Sequence, residues 1–134
     1  MLLQNISFGK SIVVPAKESR YDITGYQKIT IKISTPNKYR ISLIKQGDQI
    51  DDLFHLSSRG GQSIVYNTHV NNTWGKESIK PYPKNYDELI YEINTTENTY
   101  IVNINGKHFM TTSKINNMNA NVLLVNTGDE ITIN

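Results

Sequence analysis

The chain contains no cysteine. That excludes a disulfide framework, a thiolate nucleophile and a cysteine-based zinc site, and it fits a reducing compartment. An excess of charge of one sign is missing too. Fourteen Lys and Arg offset twelve Asp and Glu, for a net charge of +2, without the basic stripe that nucleic acid requires. No apolar run approaches the ~20 residues of a membrane-spanning helix, so membrane insertion is not expected. Met1-Leu2-Leu3-Gln4-Asn5 lacks the apolar stretch of a secretory signal. No window of useful length carries a 3.6-residue apolar period, which argues against amphipathic helices.

Sparse catalytic residue types narrow the chemistry further. His55, His69 and His108 do not fall at metal-ligand spacings and no carboxylate cluster joins them, so neither a metal nor a cofactor is expected. Glycoside hydrolysis wants two facing carboxylates. Asp51 and Asp52 precede the polar segment that contains Glu77, and strand alternation puts Asp52 on the wrong face. Ser57 and His55 share a face, but no acid is evident to orient the histidine. The expectation is a binding protein without catalytic residues.

What is present is period-two alternation. Lys28 to Ser34 alternates cleanly, with its isoleucines on one face. After a break at Pro36-Asn37 come strands over Tyr39 to Lys45 and Ile50 to Ser58, separated by a turn at Gln46-Gly47-Asp48 and ended by Gly60-Gly61. Leu89 to Asn94 and Tyr100 to Asn103 follow. Asn105-Gly106 predicts a type I′ hairpin, whose two central residues take positive φ. Val122 to Val125 and Glu130 to Ile133 close the chain across Thr127-Gly128-Asp129. Many short strands predict an all-β sandwich or barrel. At 134 residues the chain reads as one domain, 1–134. Lys80 to Asn85 is a proline-bearing loop too short to divide two cores, and no internal repeat is evident. Sequons at Asn5, Asn71 and Asn94 are attributed to chance in an asparagine-rich chain.

One stretch carries the function. His55-Leu56-Ser57-Ser58-Arg59, Val65-Tyr66-Asn67 and Trp74-Gly75-Lys76-Glu77 lie within 23 residues. Alternate strand residues share a face, so His55, Ser57 and Arg59 point one way, with Leu53 behind them, and Phe54 and Leu56 point towards a core. Val65, Asn67 and His69 share a face in the next strand. Asn71-Asn72-Thr73 reads as a turn that delivers Trp74 to the edge of the combined surface. Glu77 stands where it can hold Arg59 by a charge-assisted hydrogen bond. This set suits a pyranose, whose hydroxyls want fixed donors and acceptors and whose C–H face wants an aromatic plane.

The arrangement resembles the galectin family of β-galactoside-binding lectins, whose pattern is His-x-Asn-x-Arg, then Val-x-Asn, then Trp-Gly-x-Glu-x-Arg. His55 and Arg59 match the first element, Asn67 the second, and Trp74, Gly75 and Glu77 the third. The step of seven from Asn67 to Trp74 matches as well. The resemblance implies an all-β, galectin-type jelly-roll β-sandwich of two antiparallel sheets, with sugar on the concave face. It implies that Trp74 stacks on galactose, that His55 and Arg59 bind the axial C4 hydroxyl, and that Asn67 and Glu77 bind the C6 hydroxyl. Arg40, Ser42 and His69 are candidates for an extended subsite.

Two positions depart from the pattern. Ser57 stands where the family has asparagine, and Ile79 where it has its last arginine. Ser57 still donates and accepts, and is counted as sugar-binding with His55, Arg59, Asn67, Trp74 and Glu77, but serine reaches less far than an amide, and Lys76 or Lys80 would supply charge without the guanidinium fork. Two functions follow: a β-galactoside lectin whose partners are galactose-bearing glycans, or a galectin-fold module that has lost ordinary lactose binding and takes a protein, or a glycan of different shape, as its partner. A homodimer through an edge strand or sheet face is compatible with either. By resemblance the protein is cytoplasmic, or extracellular after secretion without a leader peptide.

Overall fold

The computed structural model describes residues 4–5, 11–13, 18–24, 28–33, 39–126 and 130–133. The strands are β1 (Gln4–Asn5), β2 (Ser11–Val13), β3 (Ser19–Asp22), β4 (Lys28–Ile33), β5 (Arg40–Gln46), β6 (Ile50–Ser58) and β7 (Ser63–Val70). There follow β8 (Thr73–Trp74), β9 (Ser78–Pro81), β10 (Leu89–Thr95), β11 (Thr99–Ile104), β12 (Lys107–Ser113), β13 (Val122–Val125) and β14 (Glu130–Ile133). Among the described residues the only helical element is a 3₁₀ turn, Ile115–Asn117.

The strands form two sheets. One has the order β1-β3-β13-β5-β6-β7, with β8 and β9 both pairing with β7; the other has the order β12-β11-β10-β4-β14-β2. Pairing is antiparallel except between β1 and β3. Period-two sequence accounts for the layering: in β4, Ile29, Ile31 and Ile33 are buried while Lys28, Thr30 and Lys32 remain partly exposed. The core lies between the sheets. Phe54 of β6 meets Tyr66 of β7 and Tyr100 of β11 edge-on, each at 5.3 Å between centroids, which ties one sheet to the other. The buried hydroxyls of Tyr39 and Tyr91 hydrogen-bond to each other across the same core.

Both asparagine turns have the geometry their residues favour. Asn105 and Gly106 take φ of 50° and 78°, and Asn71 and Asn72 take φ of 53° and 58°. Asparagine is among the few non-glycine residues that tolerate this left-handed region. The second turn folds β8 back on β7 and sets Trp74 opposite His69.

Two sequence expectations need correction. Lys80 and Pro81, read as loop, close strand β9. β9 pairs only with β7, and such an edge position tolerates proline. The second correction concerns β6. Against β5, Phe54 pairs with Leu43 and Asp52 with Ile44; against β7, His55 pairs with Asn67 and Asp52 with His69. One extra residue is accommodated there as a β-bulge, and both Leu53 and Phe54 are buried. The bulge reverses strand parity, so Asp52 shares a face with His55 after all. The break at Pro36-Asn37, the turn at Thr127-Gly128-Asp129 and the side chain of Asn5 lie outside the described residues.

Candidate functional site

The outer face of the first sheet is ordered by register. One cross-strand row runs Ser42, His55, Asn67. A second runs Arg40, Ser57, Val65, Ile79. The bulge brings a third into line: Ile44, Asp52, His69, Trp74. Between these rows and the β8–β9 segment lies a cleft of about 450 Å³, lined by His55, Ser57, Arg59, Val65, Asn67, Trp74, Gly75 and Glu77. All six residues named from sequence as sugar-binding thus border one cleft, whereas Arg40, Ser42 and His69 lie behind or beside it.

Trp74 is 53% exposed and borders the cleft. Its plane is held by two imidazoles. His55 meets it edge-on at 5.2 Å between centroids, and His69 lies tilted against it at 4.7 Å. Arg59 Nη2 donates to Glu77 Oε2 at 2.6 Å, the bond expected from their spacing. Asn67 is buried, and its Oδ1 accepts the Thr68 backbone N–H at 2.8 Å. Its amide NH₂ has no partner among the described residues and is left as a donor at the cleft.

Beneath the cleft is a polar network that alternation did not reveal. His55 Nδ1 lies 3.0 Å from Asp52 Oδ2 and 3.0 Å from Ser42 Oγ. Arg40 Nε donates to Ser42 Oγ at 3.0 Å, and its Nη2 reaches Asp52 Oδ2 at 3.4 Å. Ser42 is wholly buried and Asp52 nearly so. A carboxylate only accepts, so the proton of a neutral His55 sits on Nδ1. Nε2, on the opposite edge of the ring, is then an acceptor for the cleft. A Ser–His–Asp triad needs serine and acid on opposite ring nitrogens; here Ser42 and Asp52 both meet Nδ1, so Ser42 cannot be activated this way.

Gly75 makes the approach of β8 possible. Its N–H donates to the Thr68 carbonyl at 2.8 Å. A Cβ there would stand 3.0 Å from Thr68 Oγ1 and 3.1 Å from Asn67 Oδ1.

A larger cleft of about 910 Å³ opens at one end of the sandwich, among Ile23, Leu43, Tyr100 and Lys114. Its one lysine is already held by Asn119 at 2.8 Å, and although Thr, Asn and Glu97 side chains line it, its tyrosine, Tyr100, is buried, so it offers no exposed ring such as the sheet face has. Chemistry rather than size selects the smaller cleft.

The family model for galactoside-binding lectins matches residues 4–133. The chain belongs to the galectin family. Solved galectins share its fold. Caenorhabditis elegans galectin LEC-6 superimposes with a TM-score of 0.78 at 16% identity, covering 96% of this chain and 99% of that one. A single-substitution variant of human galectin-16 gives 0.72 at 18% identity, with 96% and 99% covered. Sheep galectin-11, solved with glycerol, gives 0.67 at 18%, with 92% and 96% covered. No curated protein sequence matches significantly. The all-β jelly-roll sandwich expected from sequence is therefore the fold of this galectin. Among the described residues no group of His, Asp and Glu could hold a metal ion, and no helix is long and apolar enough to cross a membrane.

Proposed function

We propose that this galectin is a reversible, non-enzymatic receptor for β-galactosides, acting as one carbohydrate-recognition domain over 1–134. One observation carries the reading: a half-exposed Trp74 faces a cleft bordered by His55, Arg59, Asn67 and Glu77. The apolar face of galactose packs on the indole and excludes water. An axial C4 hydroxyl leaves that face flat, so stacking selects galactose over glucose. His55 Nε2 accepts from the C4 hydroxyl, while Arg59 donates to that hydroxyl and to the ring oxygen. Asn67 and Glu77 hold the C6 hydroxyl. Asp52 and Ser42 position His55, and His69 backs the indole.

A shallow polar site must displace water that already satisfied it, so affinity per site is modest and useful avidity comes from multivalency, through glycan arrays or a homodimer. By analogy with the family, the expected locations are the cytoplasm and the cell exterior. Trp74 is the only tryptophan, so its fluorescence reports the site alone. Titration with methyl β-galactoside should change that emission saturably, and methyl β-glucoside should not. Equal response to both sugars, or none to either, rejects the reading. The second reading, a galectin-fold protein-interaction module, draws on Ile79, an apolar side chain 58% exposed and paired beside Val65 of the cleft lining; it predicts silence to both sugars.

A further inference from the structure

Beyond the galactose cleft the sheet face changes character. The row of Ser57, Val65 and Ile79 is in register across β6, β7 and β9. Past the Ser57 hydroxyl its side chains are aliphatic, Val65 buried at 2% and Ile79 open to solvent. Ile79 ends the row and is 58% exposed, an apolar side chain left in water beside Val65 of the cleft lining. Nearby charge does not cover it. Lys80 pairs opposite the core residue Ile64, and its ammonium sits 5.7 Å from the centroid of the Phe109 ring, on the other side of β9. Glu77 is engaged by Arg59 at 2.6 Å.

C1 of a pyranose lies across the ring from C4. With the C4 hydroxyl held at His55, the anomeric substituent leaves on the side away from His55, towards Ile79. We propose that this galectin prefers β-galactosides whose anomeric substituent is apolar, an alkyl or aryl group, over those that continue into a polar second sugar; the inference rests on the galactoside reading above. A sugar hydroxyl placed on Ile79 loses water without gaining a partner, whereas an aromatic or alkyl group removes exposed apolar surface on both sides.

The test compares methyl β-galactoside, phenyl β-galactoside and lactose by Trp74 fluorescence or calorimetry on the full chain. Phenyl β-galactoside should bind roughly fivefold tighter than the methyl glycoside, the gain expected for burying a modest apolar patch, and lactose no tighter than methyl. Ile79→Ser, which removes the apolar surface without adding charge, should erase the phenyl advantage. Ile79→Arg should erase it and strengthen lactose. If methyl β-galactoside binds but lactose outcompetes the phenyl glycoside, or the advantage survives in Ile79→Ser, the inference falls and the galactoside reading stands. If none of the three ligands binds, both fall.

Discussion

Asp52 Oδ2 lies 3.0 Å from His55 Nδ1, although strict alternation would set these two side chains on opposite faces of one strand. The β-bulge between them reconciles the two facts. Its consequence is chemical. The buried carboxylate sets which imidazole nitrogen carries the proton, and so which hydrogen bond the cleft can offer a sugar. Arg40 lies 3.4 Å from the same carboxylate oxygen, which offsets the cost of burying the charge.

Asp52→Asn should therefore weaken binding without unfolding the protein. An amide can hydrogen-bond Nδ1 in either sense and no longer dictates the tautomer. We expect a roughly tenfold loss of affinity for methyl β-galactoside, on the scale of one charge-assisted hydrogen bond. Affinity should be read by calorimetry and the fold by far-ultraviolet circular dichroism. Unchanged affinity would remove the positioning role assigned to Asp52.

Trp74→Ala tests the contact surface directly. The side chain is half exposed, so its loss should change stability by no more than about 1 kcal/mol, as for other exposed positions. Binding, measured by calorimetry because the fluorophore is gone, should become undetectable. Retained affinity would contradict the stacking role.

Gly75→Ala should act through Asn67. The new Cβ falls 3.1 Å from Asn67 Oδ1 and 3.0 Å from Thr68 Oγ1, so the amide must turn. Turning it disturbs the bond from the Thr68 N–H, a net cost of about 1 kcal/mol. Thermal unfolding should show a small drop in midpoint, accompanied by several-fold weaker galactoside binding. A change in stability alone would mean that Asn67 does not touch the ligand.

Glu77→Gln should separate binding from stability in the opposite way. Both partners of the Arg59–Glu77 pair are about half exposed, and such solvent-screened pairs contribute well under about 1 kcal/mol to folding. The unfolding midpoint should therefore hold, while affinity falls because Arg59 is no longer clamped. A large stability loss would show the pair to be structural.

Alkaline pH should unfold the protein through its buried tyrosines. Burial pushes the Tyr100 hydroxyl up to about 12, and burial, reinforced by Tyr91, raises Tyr39 well above the usual range. An unfolded tyrosine ionises near pH 10. Above that value the unfolded chain releases protons that the folded one retains, so stability declines as pH rises. Circular dichroism from pH 8 to 12 should show a flat region and then a loss of structure beginning above roughly pH 10. The share of the tyrosinate absorbance at 295 nm that comes from the buried tyrosines should appear together with unfolding, not before it.

Alternation and turn chemistry were enough to read the strands. The isoleucines of β4, the asparagine turns at 71–72 and 105–106 and the final two strands stand where the sequence puts them, because burial on one face and positive φ are local demands. Membership of the six cleft residues was legible for the same reason: His55, Ser57, Arg59 and Asn67 are related by parity and pairing, and one tight turn returns Trp74. The bulge was not legible. Leu53, Phe54 and Leu56 are all apolar, so an added residue among them leaves no mark on the hydrophobic pattern.

The sequence by itself determined the strand-rich sandwich, the family and the set of polar and aromatic residues along one sheet face. Tertiary structure alone decided which neighbours those residues have. A register shift on β6 joined Asp52 to His55, and strand parity on β9 turned Lys80 towards Phe109 while leaving Ile79 in water. The physical reason is one of range. Alternation and turns depend on residues two to four apart, whereas a hydrogen-bond partner or an uncovered side chain is settled by which strand lies alongside and in what register.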